Sequence, residues 1–85
     1  MSEIEDNIKR FIYATFPLAK KRGIENEASL LESGIVDSLG ILEIVNYLVE
    51  SHGINIDEDD LIPDNFNSIR SIAELILKKR EDFSN

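Results

Sequence analysis

The sequence predicts a small all-α domain, a bundle of three main helices plus one short helix, with a long first loop. Three observations support this fold class. The chain has 85 residues, of which 42% are hydrophobic, so it can build one modest core. Apolar residues recur at helical spacing in three separate segments. No segment is long enough or regular enough in its alternation to predict a strand.

The first helix is predicted at the N-terminus. Ser2 and Glu5 have the Ser-x-x-Glu spacing of a capping box, in which each side chain bonds a free backbone N–H group. One side of the segment is apolar, at Ile4, Ile8, Phe11 and Ile12. Because proline cannot continue a helix from its interior, Pro17 should end this one at about Thr15 or Phe16.

A long connection is predicted over residues 17–36. It contains a basic cluster, Lys20-Lys21-Arg22, which we interpret as a solvated segment that could also pair with the acidic residues of the last third of the chain. A connection of this length in a small domain is normally held in place by its own apolar residues. We expect Leu30, Leu31 and Ile35 to hold this one.

The second helix is predicted from Ser38 to Ser51, with Asp37 or Ser38 as the N-cap and Gly53 just beyond its C-terminus. Its apolar side chains cover more than one face: Ile41, Leu42, Ile44, Val45, Tyr47, Leu48 and Val49. Its wetter side is marked by Glu43, Asn46 and Glu50. A helix with this pattern is buried, or it offers part of its surface to a partner.

Two short turns are predicted after the second helix. Residues 54–56 form an extended approach to them. Asp57 to Asp60 then begin a turn that should bury Leu61 and Ile62. The segment that follows Pro63 can form a second short turn or helix.

The final helix is predicted to begin at another capping box, formed by Ser71 and Glu74. Its inward residues are Ile72, Leu75 and Ile76. It should end at Lys78-Lys79-Arg80, whose cations suit the C-terminal end of the helix dipole. We expect residues 1–85 to form a single domain, with about 81–85 as a frayed tail.

The composition favours an acidic, soluble, cytoplasmic protein, and a monomer is the default expectation. The formal net charge is −8, which disfavours nucleic acid because its phosphates would be repelled, and favours docking to basic protein surfaces. The absence of cysteine excludes a disulfide framework, a thiolate metal site and a cysteine nucleophile. No apolar run is long enough to span a membrane, and the N-terminus lacks the pattern of a signal peptide.

Ser38 is the strongest candidate for chemistry, and the residue pattern alone leaves its role open. A hydrolase nucleophile needs oxyanion donors and a nearby histidine. The only histidine, His52, lies 14 positions along the same helix, about 21 Å away, which argues against a hydrolase. A helix N-cap is the ordinary role of a serine at this position, but Asp37 could cap the helix alone and leave Ser38 free.

Two further groups of polar residues have ordinary explanations. The acidic run Asp57 to Asp60 lacks the glycine and the glutamate spacing of a calcium-binding EF-hand loop. We therefore expect these residues to favour a helix N-terminus rather than hold a metal. His52 stands beside Gly53 without a set of metal ligands around it, as a surface or half-buried histidine would.

The chain resembles the acyl carrier proteins over nearly its full length. The resemblance is carried by the segment SGIVDSLGILEIVNYL, preceded by an amphipathic helix and a long loop and followed by INI and SIAELI. It implies that Ser38 bears a 4′-phosphopantetheine arm, added from coenzyme A by a phosphopantetheinyl transferase. The arm holds cargo as a thioester, so the protein itself is expected not to be an enzyme.

The resemblance also implies a docking surface and a set of partners. The docking residues would be Asp37, Leu39, Leu42, Glu43, Asn46 and Glu50. The partners would be the transferase, an acyl- or aminoacyl-activating ligase, and acyl-transfer or synthase enzymes. Apolar contacts near the serine and acidic residues along the helix would meet basic partner surfaces.

Three positions depart from the carriers of general fatty-acid synthesis. Gly40 and Val49 stand where an acidic residue is common, and Asn46 replaces an apolar docking residue. The chain is more similar to stand-alone carriers that work with a separate AMP-forming ligase, which implies a dedicated pathway and leaves acyl and aminoacyl cargo both open. A helical interaction module without the arm, with Ser38 as a plain N-cap, is the alternative from another functional class.

Overall fold

The computed structural model describes the backbone of residues 3–84 and the side chains of residues 3–80. Within this range the protein consists of helices and connections, without a strand, which confirms the all-α prediction. The helices are α1 (Glu3–Thr15), α2 (Pro17–Arg22), α3 (Ser38–His52), the 3₁₀ helix η1 (Glu58–Asp60), α4 (Pro63–Phe66) and α5 (Ile69–Ser84). No helix in residues 3–84 is long and apolar enough to cross a membrane.

The first helix ends where the sequence predicts, but the segment after it does not begin as a loop. α1 stops at Thr15, and Pro17 then takes the first position of α2, where its missing N–H group costs nothing. The prediction of an irregular connection from residue 17 is therefore wrong over residues 17–22. Ser2, the predicted cap of α1, lies outside the described residues.

The core is formed where α1, α3 and α5 face one another, and the loop after α2 closes it. The largest fully buried side chains are Phe66, Ile8, Ile12, Leu30, Ile44, Leu48, Ile69, Ile72, Ile76 and Val36. Leu75 is buried with Ile72 and Ile76, as predicted for the inward face of the last helix. Leu30 and Ile35 are buried and Leu31 is half-buried, which confirms that these residues hold the connection.

The predicted burial of Leu61 and Ile62 is wrong. These side chains are 45% and 46% exposed. Ile62 is the N-cap of α4, which begins at Pro63, and the chain reaches the core one turn later through the fully buried Phe66. A single aromatic side chain on α4 therefore replaces the two aliphatic residues as the anchor of this segment.

The predicted capping box of the last helix is also wrong. α5 begins at Ile69, three residues before the start that a Ser71 cap would give, and this places the fully buried Ile69 on the helix. The Ser68 hydroxyl accepts a hydrogen bond from the Ser71 N–H group at 3.0 Å, so Ser68 acts as the cap. The backbone stays helical through Ser84, so the basic cluster at residues 78–80 does not end the helix.

The acidic run before α4 is tied to α5 by a lysine. Asp57 and Asp60 form a capping box around η1. The Lys79 ammonium lies 2.8 Å from Asp60 Oδ2 and 3.3 Å from Asp57 Oδ2. The hydrogen bond from Lys79, then the N–H group of Asp57, hold the pKa of Asp60 below its usual value. Two of these acids thus have a structural role, in line with the prediction that they favour a helix start.

Candidate functional site

The start of α3 is built by Asp37. Its backbone is extended, with φ −109° and ψ −170°, and its carboxylate Oδ1 accepts the Gly40 N–H group at 2.8 Å. Its carbonyl accepts the Ile41 N–H group at 3.0 Å, the first bond of the helix. Of the two caps that the sequence allows, the structure therefore uses Asp37.

Ser38 is the first residue of α3, and its side chain is exposed. Within the part of the chain that the structure describes, its hydroxyl has no hydrogen-bond partner, because Asp37 already caps the helix. The N-terminus of a helix carries a partial positive charge and free N–H groups, which favour a phosphate bound there. Ser38 thus keeps an exposed hydroxyl that neither the cap nor the packing of α3 uses.

Gly40 brings a phenylalanine against the first turn of α3. A Cβ atom at position 40 would lie 2.7 Å from Phe16 Cε1 and 3.0 Å from Val36 Cγ1, closer than carbon atoms approach one another. The absence of a side chain at Gly40 therefore lets the buried Phe16 ring and Val36 support the turn that carries Ser38. In the sequence Gly40 stands out only as a departure from the carriers of fatty-acid synthesis, and no local pattern indicates its contact with Phe16.

The loop that leads to Ser38 is fastened by Asn67, which lies between α4 and α5. The Asn67 carbonyl accepts the Leu30 N–H group at 2.6 Å, and its side-chain Oδ1 accepts the Ser29 hydroxyl at 2.8 Å. The Val36 N–H group in turn donates to the Leu30 carbonyl at 3.0 Å. Because Leu30 and Asn67 are far apart in the chain, no local pattern in the sequence indicates this attachment.

Arg22 also bonds to this loop. Its Nη1 donates to the Ser33 carbonyl at 2.6 Å, five residues before Ser38. The other two residues of the basic cluster, Lys20 and Lys21, are exposed on α2. The cluster is therefore part of a helix, and no ion pair to the last third of the chain is present among residues 3–80.

The six predicted docking residues are all exposed, but the structure divides them into two groups. Asp37, Leu39 and Leu42 belong to the first turns of α3, where Leu39 and Leu42 are 73% and 60% exposed. Glu43, Asn46 and Glu50 instead line a groove between α1 and α3 with a volume of about 420 Å³. The remaining residues of its lining are Phe11, Thr15, Tyr47 and Ser51.

A ring cluster lies at the C-terminal end of α3. The Phe11 and Tyr47 rings stack with their centroids 4.1 Å apart. His52 Nε2 lies 3.0 Å from the Tyr47 hydroxyl, and Arg80 Nη2 lies 3.4 Å from His52 Nδ1. Burial and then Arg80 lower the pKa of His52, and burial raises the pKa of Tyr47.

The same cluster bears on the hydrolase hypothesis. Ser38 and His52 are the first and last residues of α3, and His52 bonds Tyr47 and Arg80 rather than any nucleophile. A serine–histidine pair within one chain is therefore absent from the described residues. The site offers an exposed hydroxyl on a rigid turn, without a base beside it.

Comparisons with known proteins agree with this arrangement. The family model described as "Phosphopantetheine attachment site" matches residues 18–76, more than half of the chain. A protein of Serratia sp. (strain ATCC 39006), named "Probable acyl carrier protein PigG", is 27% identical over 73 residues. The match covers 86% of this chain and 84% of that protein.

Proposed function

Since the chain belongs to the acyl carrier protein family, whose domain is the attachment site of 4′-phosphopantetheine, we propose that Ser38 bears this group. The observation that carries the proposal is that Asp37 caps α3 while Ser38 does not. Asp37 makes the capping hydrogen bond, and Ser38 keeps an exposed hydroxyl without a partner among the described residues. The match spans both of these residues.

The residues around Ser38 fit the group. The phosphate would be esterified to Ser38 Oγ beside the N–H groups of the first turn, which favour negative charge. Phe16 and Val36 pack against this turn at Gly40. When attached, the arm supplies a thiol that holds cargo as a thioester. The chain supplies a fixed point of attachment and surfaces for its partners, so we propose that it does not itself catalyse a reaction.

The cargo and pathway are a finer proposal. We propose an acyl cargo in a dedicated biosynthetic pathway, with an aminoacyl or peptidyl cargo loaded by an AMP-forming ligase as the alternative. The contact at Gly40 supports a carrier distinct from those of general fatty-acid synthesis. An acidic side chain there would need the space that Phe16 occupies. The expected partners are a phosphopantetheinyl transferase, the ligase, and an acyl-transfer or synthase enzyme.

Part of the proposed docking surface surrounds Ser38. Leu39 and Leu42 lie one turn apart on α3 and expose most of their side chains. They would give a partner apolar contact next to the attachment point, and Asp37 would meet its basic residues. The exposure of two leucines near the start of α3 supports this role, because neither belongs to the hydrophobic core.

The attachment is tested by intact mass. Purified protein is incubated with coenzyme A and a broad-specificity phosphopantetheinyl transferase, and the wild type is compared with Ser38→Ala and Ser51→Ala. Ser51 is an exposed serine of the same helix, so Ser51→Ala is the matched control. We expect the wild type and Ser51→Ala to gain one phosphopantetheinyl group each and Ser38→Ala to gain none.

Two results would contradict the proposal. A gain in Ser38→Ala would place the arm on another residue. No gain in the wild type, with circular dichroism showing an intact fold and a second transferase giving the same result, would favour the helical interaction module without an arm.

A further inference from the structure

The short helix α2 contacts the chain on both sides of Ser38. Phe16, which precedes α2, packs against Gly40, two residues after Ser38. Arg22, the last residue of α2, donates to the carbonyl of Ser33, five residues before Ser38. We propose that Arg22 is a positioning residue for the attachment reaction, because it holds the segment before Ser38 in the geometry that the transferase requires. The inference rests on the proposed function, since it takes transfer of the phosphopantetheinyl group to Ser38 as the reaction.

The backbone that carries Arg22 is itself held in place. Pro17 occupies the first position of α2, where its ring fixes the φ angle. Ala19 is fully buried, and its carbonyl accepts the N–H group of Gly23 at 2.8 Å. Gly23 ends the helix with a φ angle of +70°, which favours glycine. The Arg22 side chain therefore extends from a backbone that is fixed on both sides.

The segment that Arg22 reaches has weaker bonds of its own. Its turn is made at Gly34, whose φ angle is +80° and whose N–H group donates to the Leu31 carbonyl at 3.2 Å. The N–H group of Ile35 donates to the Ser33 hydroxyl at 3.4 Å, which is long for such a bond. At 2.6 Å, the bond from Arg22 is the shortest that residues 33–35 form in the described part of the chain.

The bond from Arg22 lies at the surface, so its loss should affect this segment and not the whole fold. Without the bond, only a fraction of the molecules would present Ser38 in the geometry that the transferase requires. The apparent affinity falls by that fraction, whereas a saturated transferase still selects the correct form. The inference therefore predicts a higher KM for the carrier and an unchanged kcat.

The discriminating substitution is Arg22→Met, which keeps an unbranched apolar stem and removes the hydrogen-bond donors. Lys21→Met is the matched control, because Lys21 is the neighbouring exposed residue of α2 and has no partner among the described residues. It removes the same charge from the same helix without removing a hydrogen bond to the loop. A transferase that attracted this helix through its charge would be affected by both substitutions.

Steady-state kinetics with coenzyme A and a broad-specificity phosphopantetheinyl transferase compare the three proteins. We expect Arg22→Met to raise KM for the carrier by about tenfold and Lys21→Met by less than about twofold, with kcat unchanged in both. The ratio of KM between Arg22→Met and wild type should be the same at about 0.05 M and about 0.5 M salt, because the acceptor is a neutral carbonyl.

Amide hydrogen exchange, followed by NMR on the carrier alone, tests the same inference without the transferase. The amides of Gly34 and Ile35 should exchange more slowly in wild type than in an unfolded chain. In Arg22→Met they should exchange about tenfold faster, which corresponds to the same loss of the correct form. The amide of Ile72, in the buried part of α5, should be unaffected in both variants.

Several results would overturn the inference. An unchanged KM in Arg22→Met, or an equal rise in Lys21→Met, would show that the bond to Ser33 does not position the site. A KM ratio that shrinks with salt would assign Arg22 to charge contact with the transferase. Exchange of Gly34 and Ile35 at unfolded rates in wild type, or global unfolding of Arg22→Met, would exclude a local positioning role.

Failure of this inference is distinguishable from failure of the proposed function. Normal modification of wild type and Arg22→Met alike rejects only the role of Arg22. The absence of modification in wild type rejects the proposed arm, and with it the reaction that Arg22 would assist.

Discussion

At the scale of single residues, the contact between Gly40 and Phe16 explains both a departure in the sequence and the support of Ser38. Glycine is unfavourable inside a helix, by about 1 kcal/mol relative to alanine. Its presence in the first turn of α3 is accounted for by the Phe16 ring, which fills the space where a Cβ would lie. Packing thus takes precedence over helix propensity at this position.

We predict that Gly40→Ala lowers the free energy of unfolding. The overpacking cost of about 1–3 kcal/mol should exceed the gain of about 1 kcal/mol in helix propensity. Phe16→Leu removes the ring atoms in question, so the double variant should lose less stability than the sum of the two single variants. Urea unfolding measures the free energy of unfolding of each variant. Leu39→Ala, at an exposed position, is the control and should change this free energy little. Additive losses in the double variant would show that the ring is not the cause.

The histidine at the end of α3 predicts a dependence of stability on pH. The pKa of His52 is lowered by burial and then by Arg80, so the folded protein resists protonation more than the unfolded chain does. The contribution of neutral His52 to stability is complete above the unfolded pKa of about 6.5 and is lost as the pH falls through the lowered folded pKa. We expect the melting temperature of wild type to fall faster than that of His52→Gln between pH 7.5 and 5.5. Melting temperatures that fall equally with pH in wild type and His52→Gln would contradict this.

At the scale of helices, α5 does more than contribute a core face. Lys79 is 12% exposed and lies between Asp57 and Asp60, of which Asp60 is 13% exposed, so it links α5 to η1 and to the segment that leads into α4. Lys78, one position earlier, is exposed. Two adjacent lysines on one helix therefore have different roles.

We predict that Lys79→Met destabilises the fold more than Lys78→Met does, because only the former leaves Asp60 without its cation. Thermal melts at pH 7 compare the two variants. The pKa of Asp60 is held down chiefly by the hydrogen bond from Lys79, so this contribution is present above the unfolded pKa and is lost as the pH falls through the lowered folded pKa. The difference between the variants should therefore shrink in acid. Equal melting temperatures at pH 7 would contradict the linking role.

The helices also show how far local patterns predict structure. The bounds of α3 were predicted to within one residue, because Asp37, Gly53 and a continuous apolar run all indicate the same helix. α2 was missed because six residues with a single buried side chain, Ala19, carry too little periodicity. The start of α5 was misplaced because Ser68 and Ser71 are both plausible caps, and only the burial of Ile69 distinguishes them.

The sequence likewise predicts some features of the candidate site and not others. Ser38 and the predicted docking residues could be proposed from a contiguous segment and its resemblance to a family. The supports of that segment, Phe16 and Asn67, come from other elements through packing and a backbone hydrogen bond. The α1 wall of the groove likewise depends on how two helices pack, which no spacing within α3 could reveal.

At the scale of the whole molecule, charge is the dominant feature. The 17 acidic residues outnumber the nine basic ones, and the net charge of −8 opposes a compact state through self-repulsion. Lys79 and Arg70 offset this only locally, through their ion pairs with aspartates and glutamates.

We predict that added salt raises the melting temperature by several degrees, and that divalent cations do so at lower concentration. At about 0.1 M salt, charges more than about 10 Å apart are largely screened, which relieves the repulsion among acids spread over the surface. Screening weakens the attraction within the few ion pairs less, in total, than it weakens the repulsion among the many acidic side chains. A melt across ionic strengths that shows no rise, or a fall, would contradict the prediction.

The capping bond from Asp37 has one more consequence, for the life of the protein in a cell. Because the helix start is complete without the Ser38 hydroxyl, a group added to that oxygen removes no hydrogen bond of the fold. A phosphate there would also meet the positive end of the α3 dipole, which only the folded chain offers, so the loaded protein should unfold no more readily than the bare one. Proteases that act on unfolded chains would then clear loaded molecules no faster than bare ones.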